Sequence, residues 1–359
     1  MLHLLYSGQG GLGTYFMNFV QSDKKKLFKH YAFFYGIEPL YNEYEEFCLS
    51  NSIPFTYVKR DSKLDLGSLK LLNGFIKNHS IEFLLLHTFS LMPIVLSKIR
   101  KVIAIDHTPY QIKTRREHIF TMLNHIFASE MIYFYPGHFE KVKKQFPFLK
   151  FGSHSHIIPK SVDIDLFRPS NDQVENKRFT IGTSSRLIDG KRQEIVIKAL
   201  SKLKSTGADV HLKIAGLGPR KNELLDLSRS LDLDSNDVTF LGALNRREMV
   251  QFYQALDAFV HLSDGETICY CIMEAQSSGL PILASDVEGI NNVLHESNAI
   301  LFRNKVDDVV KAVIELKNNN ELQSKLQSAS LEMSRQVYER ANPSRMLFEI
   351  LNKKKNDFT

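Results

Sequence analysis

The chain has 359 residues, of which 43% are hydrophobic and 24% charged, with three cysteines and a formal net charge of +6. That length exceeds one ordinary core and suits two domains of roughly 150 to 200 residues each. The composition is that of a folded protein and excludes a disordered chain, and Cys48, Cys269 and Cys271, with no CxxC pair, argue against a disulfide framework.

All the surplus charge lies in residues 1–165, which hold 20 Lys+Arg against 14 Asp+Glu and ten of the thirteen histidines. A basic half suggests an anionic partner, such as phosphates, acidic lipid or nucleic acid, or simply a solvated surface. The opening "MLHLLYSGQGG" has a short apolar run that reaches glycines at once, so it reads as a first strand rather than a secretory segment. The run "FLLLHTFSLMPIVL" (83–96) is interrupted by His87, Thr88, Ser90 and Pro93, short of the roughly 18 apolar residues of a spanning helix. Together these features predict a cytoplasmic protein.

Strands are expected at 2–6, 31–36, 55–58, 83–87, 102–106, 131–135 and 156–159, then at 179–185, 210–216, 238–242, 258–263, 281–286 and 299–302. Longer amphipathic stretches lie between them, for example 190–204, 245–255 and 306–317. This alternation predicts parallel βα units and two doubly wound α/β sheets in tandem. The polar segment "DLFRPSNDQVENKR" (165–178) marks the seam. The expected domains are 1–168 and 169–340, with a C-terminal helix over 341–359 that returns to the first. Functional residues should sit just after strands, because ligands of open α/β sheets bind beyond the carboxyl ends.

After the first strand, "SGQGGLGTYFMNFV" places Gly8, Gly10 and Gly13 as G-x-G-x-x-G, with Gly11 added, at the start of a helix whose free amides can hold phosphate oxygens. The same pattern opens dinucleotide-binding units, which also want an acid after the second strand; Glu38 is only loosely placed for that. A turn that merely packs strand against helix is the other reading.

In "SSRLIDGKRQEIVIKAL", Arg186 and Lys191 lie past a strand at the mouth of a helix, where two cations would suit a departing nucleotide diphosphate. Further on, Glu266 and Glu274 stand eight residues apart. On one helix that interval spans about 12 Å. An acid/base pair of glycoside hydrolysis sits only about 5 to 9.5 Å apart. The interval therefore suits a clamp on two ends of an extended ligand.

The order "LKIAGLGPRKNEL", "VTFLGALNRREMVQFYQALDAFVHLS", "ETICYCIMEAQSSGLPILASDVEGINNVL" resembles the retaining glycosyltransferases of family 4, whose GT-B fold has two facing Rossmann-like domains with an interdomain cleft. The resemblance is strong over 180–302 and weaker at "GQGGLG", "IDHTPY" and "IIPKSVDIDLFRP". It implies that Glu274 grips the ribose of a nucleotide sugar, that Glu266 contacts the donor sugar, and that Arg186 and Lys191 stabilise the leaving diphosphate. It also implies donor contacts from the amides of Thr267, Ile268 and Cys269, from Gly216, and from the Gly10, Gly11 and Gly13 loop, with His107 facing the sugar. Where the family commonly has E-G-F-G, this chain has Glu266-Thr267-Ile268-Cys269, which alters the pocket where donor identity is read.

Two sulfurs at i and i+2 without nearby Cys or His partners make Cys269 and Cys271 a poor metal pair. No metal and no cofactor are expected, since Arg186, Lys191 and helix amides would do the electrostatic work. The acceptor, a glycan or lipid-linked glycan, should dock on the basic half. Lys24, Lys25, Lys26, Lys29, Arg115 and Arg116, with the aromatic and lysine-rich 131–151 that holds Lys141, Lys143, Lys144 and Lys150, suggest an anionic membrane face on the inner leaflet rather than nucleic acid; the other reading takes "MIYFY" (131–135) as a buried strand with its aromatics in the core. A nicotinamide-dependent oxidoreductase built on the glycine loop, and a basic nucleic-acid-binding protein, are the rival readings. Neither uses Glu266 and Glu274.

Overall fold

A computed structural model describes residues 1–60, 66–87, 99, 101–149, 151–152, 154–170, 178–267, 269–338 and 341–356. The chain divides into two compact units, residues 1–161 with 341–359, and residues 162–340. The segment 162–168, grouped with the first domain on sequence grounds, therefore belongs with the second unit.

The first unit has strands β1 (Leu2–Leu5), β2 (Tyr31–Gly36), β3 (Phe55–Lys59), β4 (Phe83–Leu86), β5 (Lys101–Ile105), β6 (Glu130–Tyr133) and β7 (Ser155–Ile157). They form one parallel sheet in the order β3-β2-β1-β4-β5-β6-β7, so the winding reverses between β1 and β4. Strands such as LHLL and FLLL are near-continuous apolar runs because both faces of a parallel sheet are covered. Each fully buried Leu, as at Leu2, Leu84 and Leu85, contributes about 1.5 to 3 kcal/mol.

Its described helices are α1 (Gly11–Ser22), α2 (Asn42–Ser50), α3 (Leu66–Asn78), α4 (Arg115–Phe127) and α5 (Pro136–Gln145). Gly13 must be glycine, because a Cβ there would fall 1.9 Å from the ring of the buried Tyr44. Thr114 and Glu117 start α4 with a reciprocal capping box. At the chain's end Asn342 donates to the Ser22 carbonyl at 3.0 Å, and Ser344 meets the Ser22 hydroxyl at 3.1 Å, which seats the last helix against α1.

The second unit repeats the scheme with β8 (Phe179–Ser184), β9 (Val210–Ala215), β10 (Val238–Gly242), β11 (Ala258–His261), β12 (Ile282–Ser285) and β13 (Ile300–Phe302). All pairs are parallel, in the order β10-β9-β8-β11-β12-β13, and the reversal falls between β8 and β11. Helices α6 (Gln193–Ser205), α7 (Lys221–Ser230), α8 (Arg246–Gln254), α9 (Tyr270–Ser277), α10 (Val306–Lys317) and α11 (Asn320–Met333) follow the strands, and α12 (Pro343–Asn356) is the last helix, seated in the first unit. The apolar faces of α6 and α10 (Val196, Ile197, Leu200, Val309, Val313) share one core, α6 against β9 and α10 against β12 and β13.

Candidate functional site

The loops after β8 and β11 meet at the reversal point of the second sheet. Arg192 opens α6 in a left-handed conformation (φ 51°), and its guanidinium grips Asp264 from the β11 loop in two hydrogen bonds of 2.7 and 2.6 Å. The Asp264 amide donates to the Gly190 carbonyl at 2.9 Å. These ties hold Lys191 against Glu266, whose Oε1 accepts from Lys191 Nζ and, at 2.9 Å, from His261 Nε2.

The electrostatics of this group are mutually dependent. Burial of Glu266 would raise its pKa, but the Lys191 and His261 charges hold it far below the usual carboxylate range. Burial of Lys191 pulls downward and Glu266 overrides it, so the ammonium is held more firmly than in water. His261 is likewise penalised by burial, yet the Cys269 sulfur and Glu266 lift it to about 9, so it is an imidazolium at neutral pH. Cys269 Sγ lies 2.9 Å from Cys271 Sγ and 3.5 Å from His261 Nε2, and Cys271 Sγ lies 3.4 Å from His261 Nδ1. The hydrogen bond from Cys271 favours a thiolate on Cys269, and burial with that neighbouring sulfur keeps Cys271 a thiol.

His261 thus corrects the sequence-based premise that the two sulfurs lack a Cys or His neighbour: the three ligand atoms lie within 4.8 Å of one another. Two thiolates on one tetrahedral zinc stand about 3.8 Å apart, given Zn–S bonds of about 2.3 Å. The sulfurs here are closer than that, at 2.9 Å. Glu266 and Glu274 are also not on one helix. Glu266 lies in the loop after β11, whereas Glu274 lies in α9, so the 12 Å helix estimate does not describe their separation. Glu274 is buried and its Oε2 accepts from Tyr253 at 2.9 Å.

Of the remaining positions, Arg186 is exposed in the β8 loop, where Gln193 Nε2 donates to its carbonyl at 2.9 Å. Gly216 has φ +136°, and a Cβ there would come 1.9 Å from the Ser185 carbonyl oxygen. Its lack of a side chain is explained by this close passage of the two loops. Thr267 is buried, Cys269 precedes α9, and Ile268 lies outside the described residues.

In the first unit, Gly10 is the extended N-cap of α1 (φ 161°), with Tyr44 Oη bonded to both its amide and its carbonyl at 3.0 and 3.1 Å. A Cβ at Gly10 or Gly11 would meet no atom within 4 Å. A side chain on Gly8 would strike the Glu38 carboxylate, so that acid lies closer to the glycine loop than the sequence suggests. His107 follows β5, and its Nε2 pairs with His87 Nδ1 at 3.3 Å. Beside it, Asp106 holds Lys113, with Thr121 and His138 each 3.4 Å from its Oδ2, which pins the loop after β5 to α4 and α5. The aromatics of 131–135 follow the buried-strand reading and not the membrane-face one: Tyr133, Phe134 and Tyr135 are buried. Lys150 of the same segment lies outside the described residues.

Residues 165–333 match the family model of glycosyl transferases group 1. The putative glycosyltransferase EpsF of Bacillus subtilis is 31% identical over 140 residues, which cover 36% of this chain and 36% of EpsF. A phosphatidylinositol N-acetylglucosaminyltransferase component from Arabidopsis thaliana is 26% identical over 157 residues, covering 44% of this chain and 35% of that protein. The chain thus spans about a third of the length of these curated relatives. The crystal structure of Anabaena HepE in complex with UDP and glucose superposes with a TM-score of 0.81 at 18% identity, over 98% of this chain and 100% of that one. The chain therefore has the GT-B fold, and its residues 165–333 are similar to the glycosyl transferases group 1 family.

Proposed function

We propose that the protein is a retaining glycosyltransferase, which moves a hexose or N-acetylhexosamine from a nucleotide-diphosphate sugar to an acceptor hydroxyl. The observation that carries this reading is the Lys191–Glu266–His261 group at the reversal point of β8 and β11, with Glu274 on the following helix, all within the family-matched segment. Lys191 and Arg186 neutralise the charge that grows on the departing diphosphate. Glu266 binds hydroxyls of the donor sugar and Glu274 those of the ribose. The anomeric carbon gains oxocarbenium character, and the acceptor hydroxyl attacks from the same face while a leaving phosphate oxygen takes its proton. No metal is assigned, because these cations meet the electrostatic demand.

HepE has been solved with UDP and glucose, which makes a UDP-sugar the first donor to try. A thermal-shift screen of UDP-, GDP- and ADP-sugars tests the reading. A true donor at about 100 times its Kd stabilises the fold by about 2.7 kcal/mol through mass action. No shift with any nucleotide sugar or nucleoside diphosphate would overturn it.

The acceptor is proposed to be lipid-linked or part of a growing bacterial surface glycan such as lipopolysaccharide or capsule; the Arabidopsis relative is named for phosphatidylinositol. Among the described residues no helix is long and apolar enough to cross a membrane. The proposed contact is peripheral, through α4: Ile119, Ile126 and Phe127 are each more than half exposed there, with exposed Arg115 and Arg116 at its start. Flotation with anionic vesicles should be strong at low salt and lost with Ile126→Glu or neutral lipid. Equal flotation in all three cases would count against the face.

A further inference from the structure

Four histidines of the first unit are linked in series. His30 Nε2 bonds Asp23 Oδ2 at 3.1 Å, and His30 Nδ1 bonds His3 Nε2 at 3.0 Å. His3 Nδ1 then bonds His87 Nε2 at 3.2 Å, and His87 Nδ1 bonds His107 Nε2 at 3.3 Å. The register explains how residues so far apart in sequence meet. His3 in β1 pairs with Ala32 and Leu85, so His30 lies two positions before one partner and His87 two positions after the other, on the same face by strand alternation. Leu85 in turn pairs with Ile103, which puts His107 two positions beyond the level of His87 on that face. The series therefore runs through the sheet from its amino edge, at His30, to its carboxyl edge, at His107.

The helix α1 covers this row. The His3 ring stands edge-on to Phe16 and Phe19 at 4.9 and 5.5 Å, and Tyr15 packs on His87 and His107 at 5.5 and 5.1 Å. Burial pushes the imidazoles toward the neutral form, with His87 brought down to about 3 and His30 to about 4.

The protons can then be counted. Four neutral imidazoles carry one N–H each, and four links need one proton each. At the far end Asp23 already accepts from the Leu27 and Phe28 amides at 2.8 and 2.9 Å, as an ionised carboxylate does, so it can only accept from His30. His30 must then carry its proton on Nε2, which forces Nε2–H on His3, His87 and His107 in turn. The one ring nitrogen outside these links is His107 Nδ1, and it is left without a proton.

We propose that Asp23, His30, His3 and His87 are positioning residues that hold His107 in a single tautomer, with Nδ1 offered as a hydrogen-bond acceptor to a sugar hydroxyl at the carboxyl edge of the sheet. The sugar partner rests on the glycosyltransferase reading; the tautomer does not.

NMR of the ring nitrogens in isotope-labelled histidine, on the full chain without substrate, tests the tautomer directly. Wild-type protein should give neutral Nε2–H signals for all four histidines, and an Nδ1–H signal from His107 would overturn the proposal. In Asp23→Ala the single-tautomer signal of His107 should give way to a mixture, although three other rings stand between the two residues. An unchanged His107 signal in a folded variant overturns transmission along the series. If Asp23→Ala fails to fold, the wild-type spectrum alone decides. Donor binding by thermal shift is read separately, so loss of the transferase reading leaves the tautomer result standing.

Discussion

Lys191→Ala should lower turnover of sugar transfer by about 100- to 1,000-fold, the range for removing one preorganised group that stabilises developing charge. The reason lies in the difference between ground and transition states. Before reaction the Lys191 ammonium is paired with Glu266, whose carboxylate His261 also supports at 2.9 Å. As the bond to the anomeric carbon breaks, charge accumulates on the diphosphate, and only then does the ammonium gain a second anion. Interactions that strengthen at that moment raise kcat, whereas uniform binding changes KM alone. The loss is therefore expected in kcat, with a smaller effect on donor Kd. Lys191→Arg, which keeps the charge but not the compact ammonium, should fall between.

Arg186→Ala is expected to act in the same direction through the second cation of the β8 loop, which is exposed. The measurement is the initial rate of nucleoside diphosphate release with the donor found by thermal shift, alongside melting curves. Lys191 and Glu266 are largely shielded, with side-chain exposures of 18% and 13%, so a lower melting temperature is also expected in the Lys191→Ala protein. Wild-type turnover in both the Lys191 and Arg186 variants would end the assignment.

Much of the architecture is legible in the sequence because parallel strands leave strong marks. Runs such as "YAFFYG" and "VHLKIAG" are short, apolar and rich in β-formers, and all thirteen expected strands are present. Glycine loops and cations placed just after strands are legible for the same reason, since the carboxyl edge of such a sheet is where ligands go. Contacts that depend on register are not. The row of His30, His3, His87 and His107 needs the strand order β2-β1-β4-β5 and the alignment of each pair, neither of which sequence patterning supplies. His261 lies only eight residues before Cys269, yet it gives no signal of its own, because it sits in an apolar strand and reads as core. The aromatics of 131–135 suit two readings from sequence, a buried strand and an interfacial aromatic belt, because the two share a composition, and burial selects the strand. The exposed apolar positions of α4 carry no distinct mark, since a stripe of Ile and Phe on a helix normally faces the core.

Gly289→Ala should be the most damaging small substitution in the second unit. Gly289 has φ +91°, and an added Cβ would come 1.6 Å from the backbone oxygen of Glu266. The backbone conformation alone costs a non-glycine residue roughly 1 to 2 kcal/mol. The contact cannot be relieved by rotating a side chain, because the obstructing atom is backbone. Either the turn at 287–290 or the Glu266 peptide must move, and the Glu266 amide is hydrogen-bonded to the Glu288 carbonyl at 3.3 Å across the same junction. A displaced Glu266 loses its alignment with Lys191 and His261, so donor affinity and melting temperature should fall together. Gly74→Ala is the control: it lies in α3, where a Cβ meets nothing within 4 Å, and Ala for Gly in a helix stabilises by roughly 0.5 to 1 kcal/mol. A Gly289→Ala protein with the melting temperature and donor affinity of wild type would show that Glu266 is not held by this turn.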